Sequence, residues 1–175
     1  MFTKVPFSLF ILCATAMLGL APAEGLAGSL KDSGSMEGEV VKRDVQPIPD
    51  QEGHLLILSE SSGTTSNPGG EVDGYSFSLR EALDLRHGSG SQRGYVIYSK
   101  GSDQRVVGIE GTVATTMKNG QPNTTVKGNW TIVGGQGALA GKQGTGTYSG
   151  YFTSPDKFHV DWTGKISSEK EAKAD

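Results

Sequence analysis

Cysteine is nearly absent from this chain of 175 residues: the single one, Cys13, lies inside an apolar stretch, Phe7 to Leu20, close to the start. Once that stretch is removed, no disulfide can form, and thiolate zinc sites and cysteine nucleophiles are excluded with it. Histidine is scarce as well. His54, His87 and His159 have no spacing that a metal site would require, so no metal is expected. Lysine and arginine nowhere cluster, and without Lys4 the formal charge of -3 becomes -4, which argues against a nucleic-acid partner. No later apolar run approaches the roughly 20 residues of a membrane span. No cofactor is expected either.

What is present begins with an export signal. Lys4 supplies the positive start, Phe7 to Leu20 the apolar run, and Ala21-Pro22-Ala23 the small residues for cleavage, so 1–23 is expected to be a signal peptide. A cut after Gly25-Leu26-Ala27 is the alternative. Leu12 is too bulky for a cleavage that would lipidate Cys13. The mature protein is expected in the periplasm or outside the cell.

Glycine is the abundant residue, 26 against 7 prolines, without a collagen period, which suits short twisted strands and tight turns. Residues 24–50 are small and polar and read as a flexible lead-in, with a marginal strand at Glu37 to Asp44 as the only candidate element. From there on the period is two. Val126, Gly128, Trp130 and Ile132 alternate with Lys127, Asn129 and Thr131. Phe158, Val160, Trp162, Gly164 and Ile166 alternate with polar residues, and so do Val107, Ile109, Gly111 and Val113. Strands are expected at His54–Glu60, Tyr75–His87, Gly94–Lys100, Arg105–Met117, Asn123–Val133, Thr145–Thr153 and Lys157–Ser167. Punctuation such as Asn119-Gly120 sets hairpin spacing between them. Consecutive antiparallel strands with one apolar face must curl to hide it, so the fold class is all-β: a closed or nearly closed antiparallel β-barrel of about eight strands over 51–167. Residues 168–175 read as a charged, disordered tail.

Gly135-Gln136-Gly137-Ala138-Leu139-Ala140 fits the dinucleotide pattern G-x-G-x-x-G/A. That pattern works only where the glycine turn opens a helix. Here Gly141, Gly144, Gly146 and Gly150 follow, each costing a helix interior about 1 kcal/mol relative to alanine, so a loop between antiparallel strands is expected instead. Gly128-Asn129-Trp130-Thr131-Ile132-Val133-Gly134-Gly135-Gln136-Gly137-Ala138-Leu139-Ala140-Gly141, followed by Gly144-Thr145-Gly146-Thr147-Tyr148, resembles the allene oxide cyclase and dirigent group of β-barrel proteins. Leu139 stands where an aromatic is usual. Tyr95-Val96-Ile97-Tyr98 and Asp161-Trp162-Thr163-Gly164 look like flanking strands of bacterial secreted relatives with no assigned activity. The resemblance covers about Gly53 to Ile166. It implies an eight-stranded barrel with an apolar lumen and, in some plant members, an isomerase or a guide of radical coupling. No catalytic residue of those enzymes matches a position here.

Among candidate site residues, Glu81 is the anomaly. If Tyr75 to His87 is one strand, Tyr75, Phe77, Leu79, Leu83 and Leu85 point inward together with Glu81 and His87, and a carboxyl in an apolar lumen can act as a general acid or ligand anchor. Ser78-x-x-Glu81 is also a capping-box pattern, and a short helix or bulge there would put Glu81 in solvent. Tyr75, Phe77, Gly128, Trp130 and Tyr148 are the candidate ligand-binding residues, because large side chains beside glycine leave irregular apolar space. The leading expectation is non-covalent binding of a small apolar or amphipathic molecule in the lumen. A cofactor-free isomerase or cyclase using Glu81, and a solid-core interaction module, are the alternatives. A lumen of roughly 300 Å³ or more separates binding from the solid module.

Overall fold

A computed structural model describes residues 29–168; the expected signal peptide and residues 169–175 of the charged tail lie outside the described residues. Eight strands run up and down in chain order: β1 (Leu30–Pro47), β2 (His54–Ser66), β3 (Ser76–Arg86), β4 (Ser89–Lys100), β5 (Asp103–Lys118), β6 (Gln121–Gln136), β7 (Lys142–Phe152) and β8 (Lys157–Ser168). Each pairs antiparallel with the next, and β1 pairs with β8, which closes the barrel and leaves no sheet edge for another chain to extend.

The alternation read from the sequence is the alternation observed. Val107, Ile109, Trp130, Ile132, Phe158, Val160 and Trp162 are buried in one interior, while Lys127, Lys157, Asp161 and Lys165 are exposed. Cross-strand register brings Ile109 opposite Trp130 and Tyr148 opposite Trp162. Each buried aromatic removes roughly 200 Å² from water, an upper bound of about 5 kcal/mol by area. Asn119-Gly120 makes its hairpin with both residues at positive φ, 52° and 77°, the primed turn whose twist matches the strands. His87-Gly88 does the same at 52° and 78°, so His87 sits in a turn and not on an inward face. Among the described residues no helix is long and apolar enough to cross a membrane.

Two expectations require correction. Residues 30–47 are not a lead-in but the 18-residue strand β1, paired with β2 on one side and β8 on the other. Its side chains supply little apolar burial; its backbone supplies the donors and acceptors that β2 and β8 would otherwise leave unpaired. The barrel domain therefore begins near Leu30. At the other end Ser168 is still in β8, opposite Lys142. The second correction concerns Ser78 to Leu85, where the helical alternative does not occur. β3 is an unbroken strand with partners on β2 and β4 at every residue from Ser76 to Arg86 on the β4 side.

Gly134, Gly135 and Gln136 finish strand β6, and the loop proper is the short connection from Gly137 to Gly141. Its single turn of 3-10 helix, Gly137–Leu139, lies between β6 and β7. Gly137 has φ +64°, and Asp103 Oδ1 lies 2.1 Å from where its Cβ would be; the same carboxylate accepts a hydrogen bond from the Ala138 N–H at 2.9 Å. The turn folds Leu139 onto the barrel end, where it is buried in the core.

Candidate functional site

The two barrel ends differ. At one end the β2–β3 connection, residues 67–75, folds inward and seats the fully buried Val72 in the lumen. Asn67 Nδ2 donates to Ser33 O at 2.7 Å and to Asp32 Oδ1 at 3.3 Å, and Thr65 Oγ1 donates to Val72 O at 2.5 Å. Trp162 Nε1 donates to Asp32 Oδ2 at 3.0 Å. Glu71 pairs with the buried Arg105 and, at 2.6 Å, with Lys142. Burial works to raise the Glu71 carboxyl, but the hydrogen bonds from Lys142 and Arg105 outweigh it and hold the group below its ordinary value. This end is filled and fastened.

The opposite end, where the β3–β4, β5–β6 and β7–β8 turns lie, opens into a cavity of about 720 Å³. Ile57, Leu83, Val113 and Phe152 are among its apolar walls, and Arg43, Glu81 and Gln92 are polar groups within it. Leu79, Gln92, Val126, Phe158 and Val160 line both this mouth and a smaller inner chamber of about 50 Å³, whose own walls include Tyr98, Trp130, Tyr148 and Trp162.

A polar belt crosses the lumen between the two spaces. Arg43, Ser59 and Glu81 stand side by side in register on β1, β2 and β3. Ser59 Oγ donates to Glu81 Oε1 at 3.0 Å, Gln92 Nε2 donates to Glu81 Oε2 at 2.5 Å, and the Tyr148 hydroxyl donates to Gln92 Oε1 at 2.8 Å. Arg43 is turned into the mouth by a β-bulge between Val40 and Lys42, which reverses the parity of the rest of β1. Its guanidinium donates to Asp156 Oδ1 at 3.4 Å and Pro155 O at 3.3 Å on the rim. Burial pushes the Glu81 carboxyl above the ordinary glutamate value; the hydrogen bonds from Gln92 and Ser59 and the charge of Arg43 oppose that shift without cancelling it. Burial likewise raises the Tyr148 phenol, with the Glu81 charge adding to it.

The candidate residues fall in different places. Glu81 faces the mouth. Trp130 and Tyr148 line the inner chamber, and the Trp130 indole N–H is buried without a partner among the described residues. Tyr75 lies at the filled end, where Lys100 Nζ stands 5.4 Å from its ring centroid. Phe77 packs on Phe158 with ring centroids 6.3 Å apart. Gly128 borders no empty space: a Cβ there would lie 2.6 Å from the Tyr148 hydroxyl and 2.2 Å from Glu110 O. With its cross-strand partner Gly111, where a Cβ would lie 2.4 Å from the same hydroxyl, it forms the bed over which Tyr148 reaches Gln92. The structure thus joins Glu81 to Tyr148 through Gln92 and separates both from Tyr75. Ser59 and Gln92 escaped the sequence reading, although extending the inward parity of β2 through Ile57 and of β4 back from Val96 would have reached them. Arg43 carries no such signal, because the bulge hides it.

No protein-family model and no curated protein sequence matches the chain. Solved structures similar to the chain include two dirigent proteins. The pterocarpan synthase dirigent protein GePTS1 is 11% identical with a TM-score of 0.46, over 79% of this chain and 85% of that chain. The pterocarpan synthase dirigent protein PsPTS1 is 11% identical with a TM-score of 0.47, over 79% of this chain and 96% of that chain. Both neighbours are dirigent proteins.

Proposed function

We propose that the barrel binds a small apolar or amphipathic molecule non-covalently, and that the molecule enters by the open mouth. The observation that carries this reading is a 720 Å³ concavity walled mainly by apolar side chains and provided with a few convergent polar groups, Arg43, Glu81 and Gln92. Apolar burial supplies the affinity at about 25 cal/mol per Å², and the polar groups orient the ligand. The test uses the neutral probe N-phenyl-1-naphthylamine. Folded protein should raise its emission saturably, with one probe per barrel, and Leu83→Trp, which fills the mouth, should abolish the rise. Absence of uptake by the wild type would favour a solid interaction module.

A second reading, a cofactor-free isomerase, draws on the Glu81 carboxyl facing the same cavity. It demands turnover that Glu81→Gln removes while probe uptake persists. Export belongs to the proposal too: protein recovered outside the cytoplasm should begin at Glu24, and recovery of the intact N-terminus there would refute cleavage at that point.

A further inference from the structure

We infer that Gln92, held between Glu81 and Tyr148, is the floor of the mouth and sets the length of molecule the barrel accepts. Compact rings and short chains bearing one polar head fit above it, and elongated chains gain nothing from the length that exceeds the mouth. The inference rests on the binding reading above and adds a determinant of specificity to it.

Three observations meet at this residue. Glu81 belongs to the mouth and Tyr148 to the inner chamber, while Gln92 lines both and is hydrogen-bonded to each. Its amide is thereby fixed from both sides, the nitrogen spent on the carboxylate and the oxygen on the phenol, so it cannot swing aside without leaving two buried polar groups unpaired. Beneath it the chamber is not solid. It holds about 50 Å³, enough for a few water-sized groups, and among its walls is the unpartnered indole N–H of Trp130. Gly111 and Gly128 contribute by their lack of side chains, since a Cβ at either would displace the Tyr148 hydroxyl that anchors the crosspiece. The barrel therefore contains two spaces that meet at Leu79, Gln92, Val126, Phe158 and Val160; of these Gln92 is the one held by hydrogen bonds from both sides, and shortening it opens a passage between them.

The experiment displaces N-phenyl-1-naphthylamine with straight-chain alkanols of increasing length, and then with the same alkanols carrying bromine at the far end. In the wild type each added methylene should tighten binding about fourfold until the mouth is full, after which longer chains gain nothing. Bromine should leave tryptophan emission unchanged, because Trp130 and Trp162 both lie below Gln92. In Gln92→Ala the fourfold gains should continue for further methylenes, and bound bromoalkanols should quench the tryptophans. Gln92→Val, a better strand former, serves in its place if the alanine variant does not fold. Quenching in the wild type equal to that in the variants would overturn the floor while leaving the mouth as the binding site. Bound bromoalkanols that quench in neither variant would overturn it also. Failure of any alkanol to displace the probe from the wild type would remove the binding reading itself.

Discussion

Replacing Gly128 by alanine adds one methyl group where the barrel has no room for it. The new Cβ would stand 2.2 Å from Glu110 O, 2.6 Å from the Gly111 Cα and 2.6 Å from the Tyr148 hydroxyl. Two of these three are backbone atoms of the paired strand β5, which can retreat only by disturbing its own ladder. Overpacking of this kind costs about 1–3 kcal/mol. Displacing Tyr148 also breaks its 2.8 Å bond to Gln92, and an unpaired buried hydroxyl or amide oxygen costs about 1–3 kcal/mol more. The expected loss is therefore about 2–6 kcal/mol, a large part of the stability of an ordinary domain. At roughly 3–4 °C per kcal/mol for a domain of this size, the midpoint of thermal unfolding should fall by about 6–24 °C. Gly134→Ala, in the same strand with no atom within 4 Å of the new Cβ, is the control and should lie within about 0.5 kcal/mol of the wild type. Urea unfolding followed by tryptophan emission measures both. Tyr148→Phe closes a double-mutant cycle: with the hydroxyl gone, part of the clash goes too, so the double variant should be about 1–2 kcal/mol better than the sum of the singles. A cost at Gly128 below about 0.5 kcal/mol, or strict additivity with Tyr148→Phe, would refute the close approach.

Other outcomes follow from charge. Because the Glu81 carboxyl is raised above its usual 4.5, the folded protein binds more protons than the unfolded chain just above that value; Glu81 therefore contributes a fall in stability as pH rises from 4.5 through its folded value, and Glu81→Gln should remove that fall in urea midpoints measured from pH 4 to 8. His159 is raised above 6.5 chiefly by its hydrogen bond to Glu37 at 2.9 Å, with Asp161 adding to it; its contribution is full below pH 6.5 and is lost as pH rises through the folded value, so an NMR titration should show the His159 ring titrating lower in Glu37→Gln than in the wild type. Glu71→Gln should cost about 2–3 kcal/mol in urea unfolding, a buried-pair loss reduced for the 31% exposure of Glu71, since Arg105 at 3% exposure loses its partner; Arg105→Met placed on top should recover part of it.

How much of this was legible from the sequence depends on which force holds each part. Strands β5, β6 and β8 bury one face and wet the other, so side-chain parity alone located Trp130, Val160 and Trp162. Of strand β1 only the marginal stretch Glu37 to Asp44 is legible, because its place is set by backbone pairing to β2 and β8, which leaves little mark in side-chain hydrophobicity, and because its bulge breaks the alternation halfway. For Ser78 to Leu85 the local signals were divided between helix and strand, and pairing on both sides decided. That choice placed Glu81 in the mouth. Which end of the barrel is open depends on the fold of residues 67–75, a loop whose direction is set by contacts such as Asn67 with Asp32 and Ser33, far away in the chain. Gly128 illustrates the opposite difficulty: a glycine among bulky neighbours marks a hole or a close approach with the same letter, and only the position of Tyr148 distinguishes them.

The fastened loop at residues 67–75 makes the barrel a dead-end vessel and not a conduit. If the barrel binds as proposed, whatever enters leaves by the same door, so arrival and departure compete for one passage and a second molecule cannot push the first out from behind. Residence time then depends on the rim, where Arg43 bonds to Pro155 and Asp156 of the adjoining β7–β8 turn. Loosening that contact by Arg43→Ala should speed entry and exit together, changing how fast the vessel exchanges its contents more than how tightly it holds them.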